Sequence, residues 1–274
     1  VVFRALASVF PKYANGQTMV IKNVNGASGI TGAIEFLNAS ADGYSVMHWN
    51  NASLTKTHLS EVPVTGADTF EAVCQVVSSY NYIVVPADSP YQTLQDLIDA
   101  ALAAPDTITI GNAGAQGGKH MAALLFEDAV GAKFVHVPFS GGGPAITGVL
   151  SGQVDCVMAN APEGISNVEN GQLRILAVFA PERYSAFPDI PTGIECGVDL
   201  ELPQWRTVVC PPGTPEERIN ALAEIFRQCC EDPDFIAAME SQCVEVTYKG
   251  PAEADAFMHE EDARYGELVA SKGF

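Results

Sequence analysis

The chain has 274 residues, 47% of them hydrophobic, and sets 14 basic against 33 acidic side chains for a formal charge of −19. That length favours two domains with proper cores, and no apolar run approaches the roughly 20 residues of a membrane-spanning helix. So acidic a surface repels nucleic-acid phosphates and anionic lipid, so neither is expected as a partner. Any anionic ligand has to be captured by a local field against the global one.

In chain order, residues 1–10 read as a helix with Val2, Leu6 and Val9 on one side. An α/β domain rarely opens on a helix. The first strand, its loop and any export signal are therefore expected upstream; no basic-then-apolar leader is present in the chain itself. Residues 18–22 read as a strand leading into the glycine-rich 23–32 and a helix to about Ala39, with a turn at 41–43. Strands follow at 44–48, with Trp49 to Ser53 at its carboxyl end, and at 70–77 and 82–85.

Residues 86–90, bounded by prolines, mark a crossing into a second domain. Thr93 and Asp96 then form a capping box, with Leu94, Leu97, Ile98, Ala101 and Leu102 as the buried stripe of its helix. Strands at 107–110 and 134–137 each run into a glycine loop and a helix, and 154–158 is a third strand ending at a loop containing Asn160. The apolar strand 173–179 suits the middle of a parallel sheet. After the irregular 187–203, strand 205–210 returns to the first domain. Thr214 is then the N-cap of a helix with Pro215 first and Glu217 third, its inner face formed by Ile219, Leu222, Ala223 and Phe226. A strand at 243–247 and a helix at 251–269 finish the chain. The alternation predicts parallel sheets with right-handed crossovers, in domains spanning 1–86 with 206–274 and 87–205, the ligand cleft lying between them.

The chemistry resides in the glycine loops. Bare amides at a helix N-terminus, with the positive end of its dipole, suit an anion. In an open α/β sheet such loops gather beyond the carboxyl ends of the strands. Gly26, Gly29 and Gly32, like Gly111, Gly114 and Gly117, are spaced GxxGxxG rather than GxGxxG, and no acidic residue stands about 20 positions on to hold a ribose. Gly118-Lys119 is followed by His120, not Ser or Thr, so a phosphate-binding P-loop fails as well. One such loop alone is only a tight turn; three on one edge point to an anion site made mostly of backbone.

The five histidines have no metal-ligand spacing, and no Ser lies in a GxSxG elbow. Neither a metal, a cofactor nor a catalytic residue is expected. His120, one turn into its helix, fits a structural hydrogen bond better than a ligand contact. The seven cysteines form no C-x-x-C pair; those in apolar strand-like surroundings, such as Cys156 and Cys210, read as buried thiols, and the group of Cys229, Cys230 and Cys243 leaves room for one disulfide without requiring it. The acidic stretch 253–267 reads as the solvated face of a helix.

Residues 23–32, Ala41-Asp42-Gly43-Tyr44, the 111–120 loop, and Val137-Pro138-Phe139-Ser140-Gly141-Gly142 followed by Gly152-Gln153-Val154-Asp155 together resemble one family. So do Gly171-Gln172-Leu173-Arg174, Phe187-Pro188-Asp189-Ile190-Pro191-Thr192 with Glu195 and Gly197, and Pro211-Pro212-Gly213-Thr214-Pro215. The family is the tripartite tricarboxylate transporter substrate-binding receptors, also called Bug or TctC, and the match covers nearly the whole chain in order. It implies an α/β, two-lobed periplasmic-binding-protein fold of the type II-like clamshell kind, with parallel-rich sheets flanked by helices. It further implies a monomeric, non-enzymatic periplasmic receptor that hands a small organic carboxylate to membrane permease subunits.

In that family the carboxylate is held largely by backbone amides and ordered water. The matching positions here are Asn50, Asn51 and Ser53, then Ala115, Gln116, Gly117, Gly118 and His120, then Ser140, Gly141 and Gly142, and Asn160. Gln116-Gly117-Gly118 departs from the commoner Gly-Ser, and cysteine is unusually frequent. The alternatives are a ligand-sensing receptor for a membrane signalling protein and an α/β enzyme acting on a small organic acid.

Overall fold

The computed structural model describes residues 2–24, 26, 29–184 and 187–273; Val1 of the expected first helix, and Asn25, Ala27 and Ser28 of the first glycine loop, lie outside the described residues. The chain divides into two compact units, residues 1–78 with 205–274, and residues 79–204. The first boundary falls inside a strand rather than at the prolines of 86–90. That strand, β2, runs unbroken through Glu71–Pro86, where the sequence suggests two strands. Its polar middle misleads: Ser78, Ser79 and Asn81 are all buried. Asn81 donates from both its backbone N–H and its amide to the Leu202 carbonyl at 3.0 and 2.9 Å, and Ser79 Oγ accepts from the Asn160 amide at 3.3 Å.

In the unit 1–78 with 205–274, β2 lies between β7 (Pro203–Cys210) and β8 (Glu245–Lys249), and β1 (Met47–Asn50) pairs antiparallel with the far side of β7. Helices α1 (Val2–Tyr13), α8 (Glu216–Glu231) and α9 (Pro233–Glu240) bury Leu6, Val9, Phe226, Phe235 and Met239 against Val73, Val76 and Val208 of the strands. Each such side chain removed from water contributes about 1.5–3 kcal/mol. Also in this unit are α2 (Ile30–Phe36), α3 (Asn51–Leu59) and α10 (Pro251–Lys272). Residues 18–22 form no strand; Val20 is 86% exposed, so its apolar character serves no core. Thr214 does not cap α8, whose N-cap is Pro215, because the Thr214 hydroxyl donates instead to the Pro211 carbonyl at 2.7 Å.

The acidic stretch is not wholly solvated either. Glu261 is buried and accepts from the Trp205 indole N–H at 3.0 Å, while Asp262 accepts from the Ala67 N–H at 3.0 Å. Cys229 and Cys230 are free thiols in the core, so neither takes part in the disulfide that the sequence leaves open.

In the unit 79–204, β2 lies between β5 (Cys156–Asn160) and β6 (Leu173–Val178), both antiparallel to it. Beyond β5 come β3 (Thr109–Ala113) and β4 (Val135–Phe139), joined in parallel. The sheet is therefore mixed rather than parallel-rich, and β6 belongs to an antiparallel pair. The Thr93–Asp96 capping box is present on α4 (Leu94–Ala103), but Leu102 of its expected stripe is 49% exposed. Helices α5 (Gly118–Val130), α6 (Gly142–Leu150) and α7 (Ile165–Glu169) complete the unit, whose core gathers Ile83, Leu97, Phe126, Phe134, Met158, Leu176 and Phe179.

Candidate functional site

The parallel ladder β4–β3–β5 sets the geometry. Ala113 stands opposite Phe139, and Gly111 opposite Val157, so all three strands point their carboxyl ends the same way. The segments holding Ala115, Gln116, Gly117 and Gly118, then Ser140, Gly141 and Gly142, then Asn160, consequently leave the sheet at one edge. Gly117 caps α5 and Gly141 caps α6, neither with a side-chain bond. The first intrahelical bonds run from Met121 to Gly117 and from Ala145 to Gly141. The N–H groups of Gly118, Gly142 and Gly143 thus have no acceptor within their helices, which is the ordinary state of a helix start.

The α5 loop is held by its own helix. Gln116 adopts the left-handed conformation at φ 56° and donates its N–H to His120 Nδ1 at 3.0 Å. Burial and the neighbouring His136, whose ring centroid is 5.0 Å away, bring the His120 pKa down to about 4, so the acceptor form persists at neutral pH. His136 in turn sits 3.1 Å from the buried Glu127. His120 therefore fastens the loop. Asn160 is 6% exposed, and its amide donates to Ser79 Oγ and to the Ala161 carbonyl, both at 3.3 Å.

Three features of this edge escape sequence reasoning. Asn112, the residue before the end of β3, is fully buried, and neither its amide nitrogen nor its oxygen has a partner. Lys119, in the first turn of α5, is ion-paired with Glu163. The Glu163 carboxylate lies over the start of α6, in space open only because Gly142 lacks a side chain. A Cβ there would fall 1.8 Å from Oε1. The backbone holds Glu163 in place, its N–H donating to the Asn160 carbonyl at 2.9 Å and its carbonyl accepting from the Tyr82 hydroxyl at 2.5 Å.

In the other unit, Asn50, Asn51 and Ser53 form a helix start rather than a loop. Asn50 ends β1 and caps α3, its Oδ1 accepting from the Ser53 N–H at 3.0 Å. Asn51 is 2% exposed, and its amide points at the Tyr265 hydroxyl of α10 at 3.5 Å. Ser53 is nearly as buried, and Gly29, at φ 100°, approaches so closely that a Cβ there would lie 2.5 Å from its hydroxyl. Opposite Asn50 on β7 stands Arg206, which carries no motif in the sequence and lies between Trp205 and Thr207.

Among the described residues no group of three or more His, Cys, Asp or Glu side chains is placed to hold a metal ion. No helix among them is long and apolar enough to cross a membrane.

A family model described as tripartite tricarboxylate transporter family receptor matches residues 2–274. A TctC solute-binding protein from Polaromonas superimposes with a TM-score of 0.87 at 28% identity, over 98% of this chain and 92% of that one. Two proteins of Rhodopseudomonas palustris share the fold at lower identity. MatC, with bound malate, gives a TM-score of 0.82 at 22% identity over 98% of this chain and 93% of its own. A second, with adipate, gives 0.81 at 24% over 99% and 92%.

Proposed function

The chain belongs to the tripartite tricarboxylate transporter receptor family, solute-binding proteins rather than enzymes, and from that premise we propose that it captures a small organic carboxylate outside the cytoplasm and delivers it to the membrane subunits of a transporter of that kind. The observation that carries the ligand class is the common edge of β4, β3 and β5. There two glycine-capped helices of nine or more residues start side by side with no side-chain cap. Helix starts of this kind favour negative charge by roughly 0.3–1 kcal/mol each, and more when partly buried. Malate and adipate, carried by two structural neighbours, are both dicarboxylates. Export from the cytoplasm, action as a monomer, and Asn50, Asn51, Ser53, Ala115 to Gly118, His120, Ser140 to Gly142 and Asn160 as ligand-contacting positions belong to the same proposal.

A thermal-shift panel of mono- and dicarboxylic acids, malate and adipate included, tests it against neutral sugars and amines. A ligand at 100 times its Kd adds about 2.7 kcal/mol to stability, a shift of several degrees. A panel in which sugars or amines raise the midpoint and no carboxylate does would end the proposal.

A further inference from the structure

We propose that Arg206 is a side chain that recognises a carboxylate of the ligand, a role that rests on the receptor reading above. In the antiparallel register Arg206 stands opposite Asn50, and His48 opposite Val208, so His48, Asn50 and Arg206 share one face of the β1–β7 ladder. Facing residues there are neighbours at about 5 Å between Cβ atoms.

The surroundings of Arg206 are unusual for a guanidinium. Its NH1 atom is buried without a hydrogen-bond partner, and no acidic side chain pairs with it among the described residues. Burial lowers its pKa, with no compensating anion acting on it. A buried charge is ordinarily paired, because desolvation is costly when uncompensated. In a chain of 33 acidic residues against 14 basic ones, leaving this cation unpaired is a cost with no structural return.

The neighbours fit an anion as well. Asn50 caps α3, so the positive end of that helix starts beside the guanidinium. His48 is held neutral, its pKa brought to about 3 first by burial and then by Arg206 itself. The Asn50 amide, 3.4 Å from His48 Nε2, and its oxygen, on the Ser53 N–H, are already engaged. Among the three polar residues on this face, Arg206 alone carries charge and unmet donors. A planar fork of N–H groups matches a carboxylate in two parallel bonds, which an ammonium cannot reproduce. The local field demanded of so acidic a protein is then supplied by this half-buried arginine together with the helix starts.

The experiment compares wild type with Arg206→Met and Arg206→Lys, reading the thermal midpoint without ligand and, by calorimetry on the folded fraction, the Kd for malate, adipate and the panel acid giving the largest shift. The expected result is an unchanged or higher midpoint for Arg206→Met, with affinity weakened about tenfold to a hundredfold, the range of a lost charge-assisted pair. Arg206→Lys keeps the charge but is expected to weaken binding at least about tenfold, since it loses the fork. Arg206→Met with a lowered midpoint and a Kd within about threefold of wild type would make the arginine structural and overturn the proposal while the receptor reading stood. Absence of any carboxylate binding by wild type would overturn both.

Discussion

Gly142 and Glu163 show what one missing methyl group permits. The Glu163 carboxylate occupies the space of a Gly142 side chain and is held there by Lys119. Gly142→Ala should therefore cost about 1–2 kcal/mol, because the carboxylate must leave its ion pair and two partly buried charges lose their geometry. With Glu163→Ala already in place the sign should reverse. The three atoms nearest to the added methyl group are then gone, and alanine is preferred to glycine in a helix by about 0.5–1 kcal/mol. A double-mutant cycle in chemical denaturation measures the difference; additive effects would mean that the carboxylate does not occupy that space in solution. None of this was legible in the sequence, since Glu163 is twenty-one positions from Gly142 and carries no motif.

The elements were read more reliably than their ends. The strands expected at 44–48, 107–110, 134–137 and 154–158 all exist, but end later, at Asn50, Ala113, Phe139 and Asn160. The reason is common to three of them. Their last residues include Asn50, Asn112 and Asn160, polar groups that a hydrophobic pattern assigns to a loop but that this fold keeps in the ladder. Parallel pairing was overestimated because alternation of strand and helix carries no sign of direction for a strand such as β6, which reaches β2 antiparallel. The anion-binding character proposed for the loops was legible because glycine before a helix start has a local cause; the role proposed for Arg206 was not, because it rests on what does not surround that side chain.

The α5 start offers a direct test of the amide proposal. Gly118 is the first helical residue, where proline is tolerated, and Gly117 before it is extended at φ −86°, ψ 170°. Gly118→Pro suits the helical backbone at this position and should weaken carboxylate binding about tenfold or more through the lost N–H donor, read on the folded fraction because Gly118 is buried. Titration calorimetry giving a wild-type Kd for the folded variant would make the loop a plain turn.

At the scale of the whole molecule, acid is the expected weakness. The pKa of His48 is held at about 3, and that of His120 at about 4, by burial foremost, against about 6.5 in an unfolded chain. From pH 6.5 down towards 4 the unfolded chain therefore binds more protons than the folded one, and stability falls as pH falls. Burial raises the pKa of Glu261, which acts in the opposite sense and offsets part of the loss. Denaturant unfolding at pH 7, 5.5 and 4.5 should show a net loss of about 1–3 kcal/mol, allowing for the partial exposure of both rings. His48→Asn should flatten that slope, and an unchanged slope would assign the acid sensitivity elsewhere. The buried thiols give the same molecule a second readout. Burial raises the pKa of Cys210 and Cys229 to about 11 and of Cys230 to about 12, and raises that of Cys156 as well. As thiols rather than thiolates, behind a closed core, they are inert to alkylation. Cys156 lies in the core of the 79–204 unit, whereas Cys74, Cys210, Cys229 and Cys230 lie in the other. The chain thus carries a native clock for each half, in which the rate of alkylation counts how often that half breathes open, with no foreign label introduced.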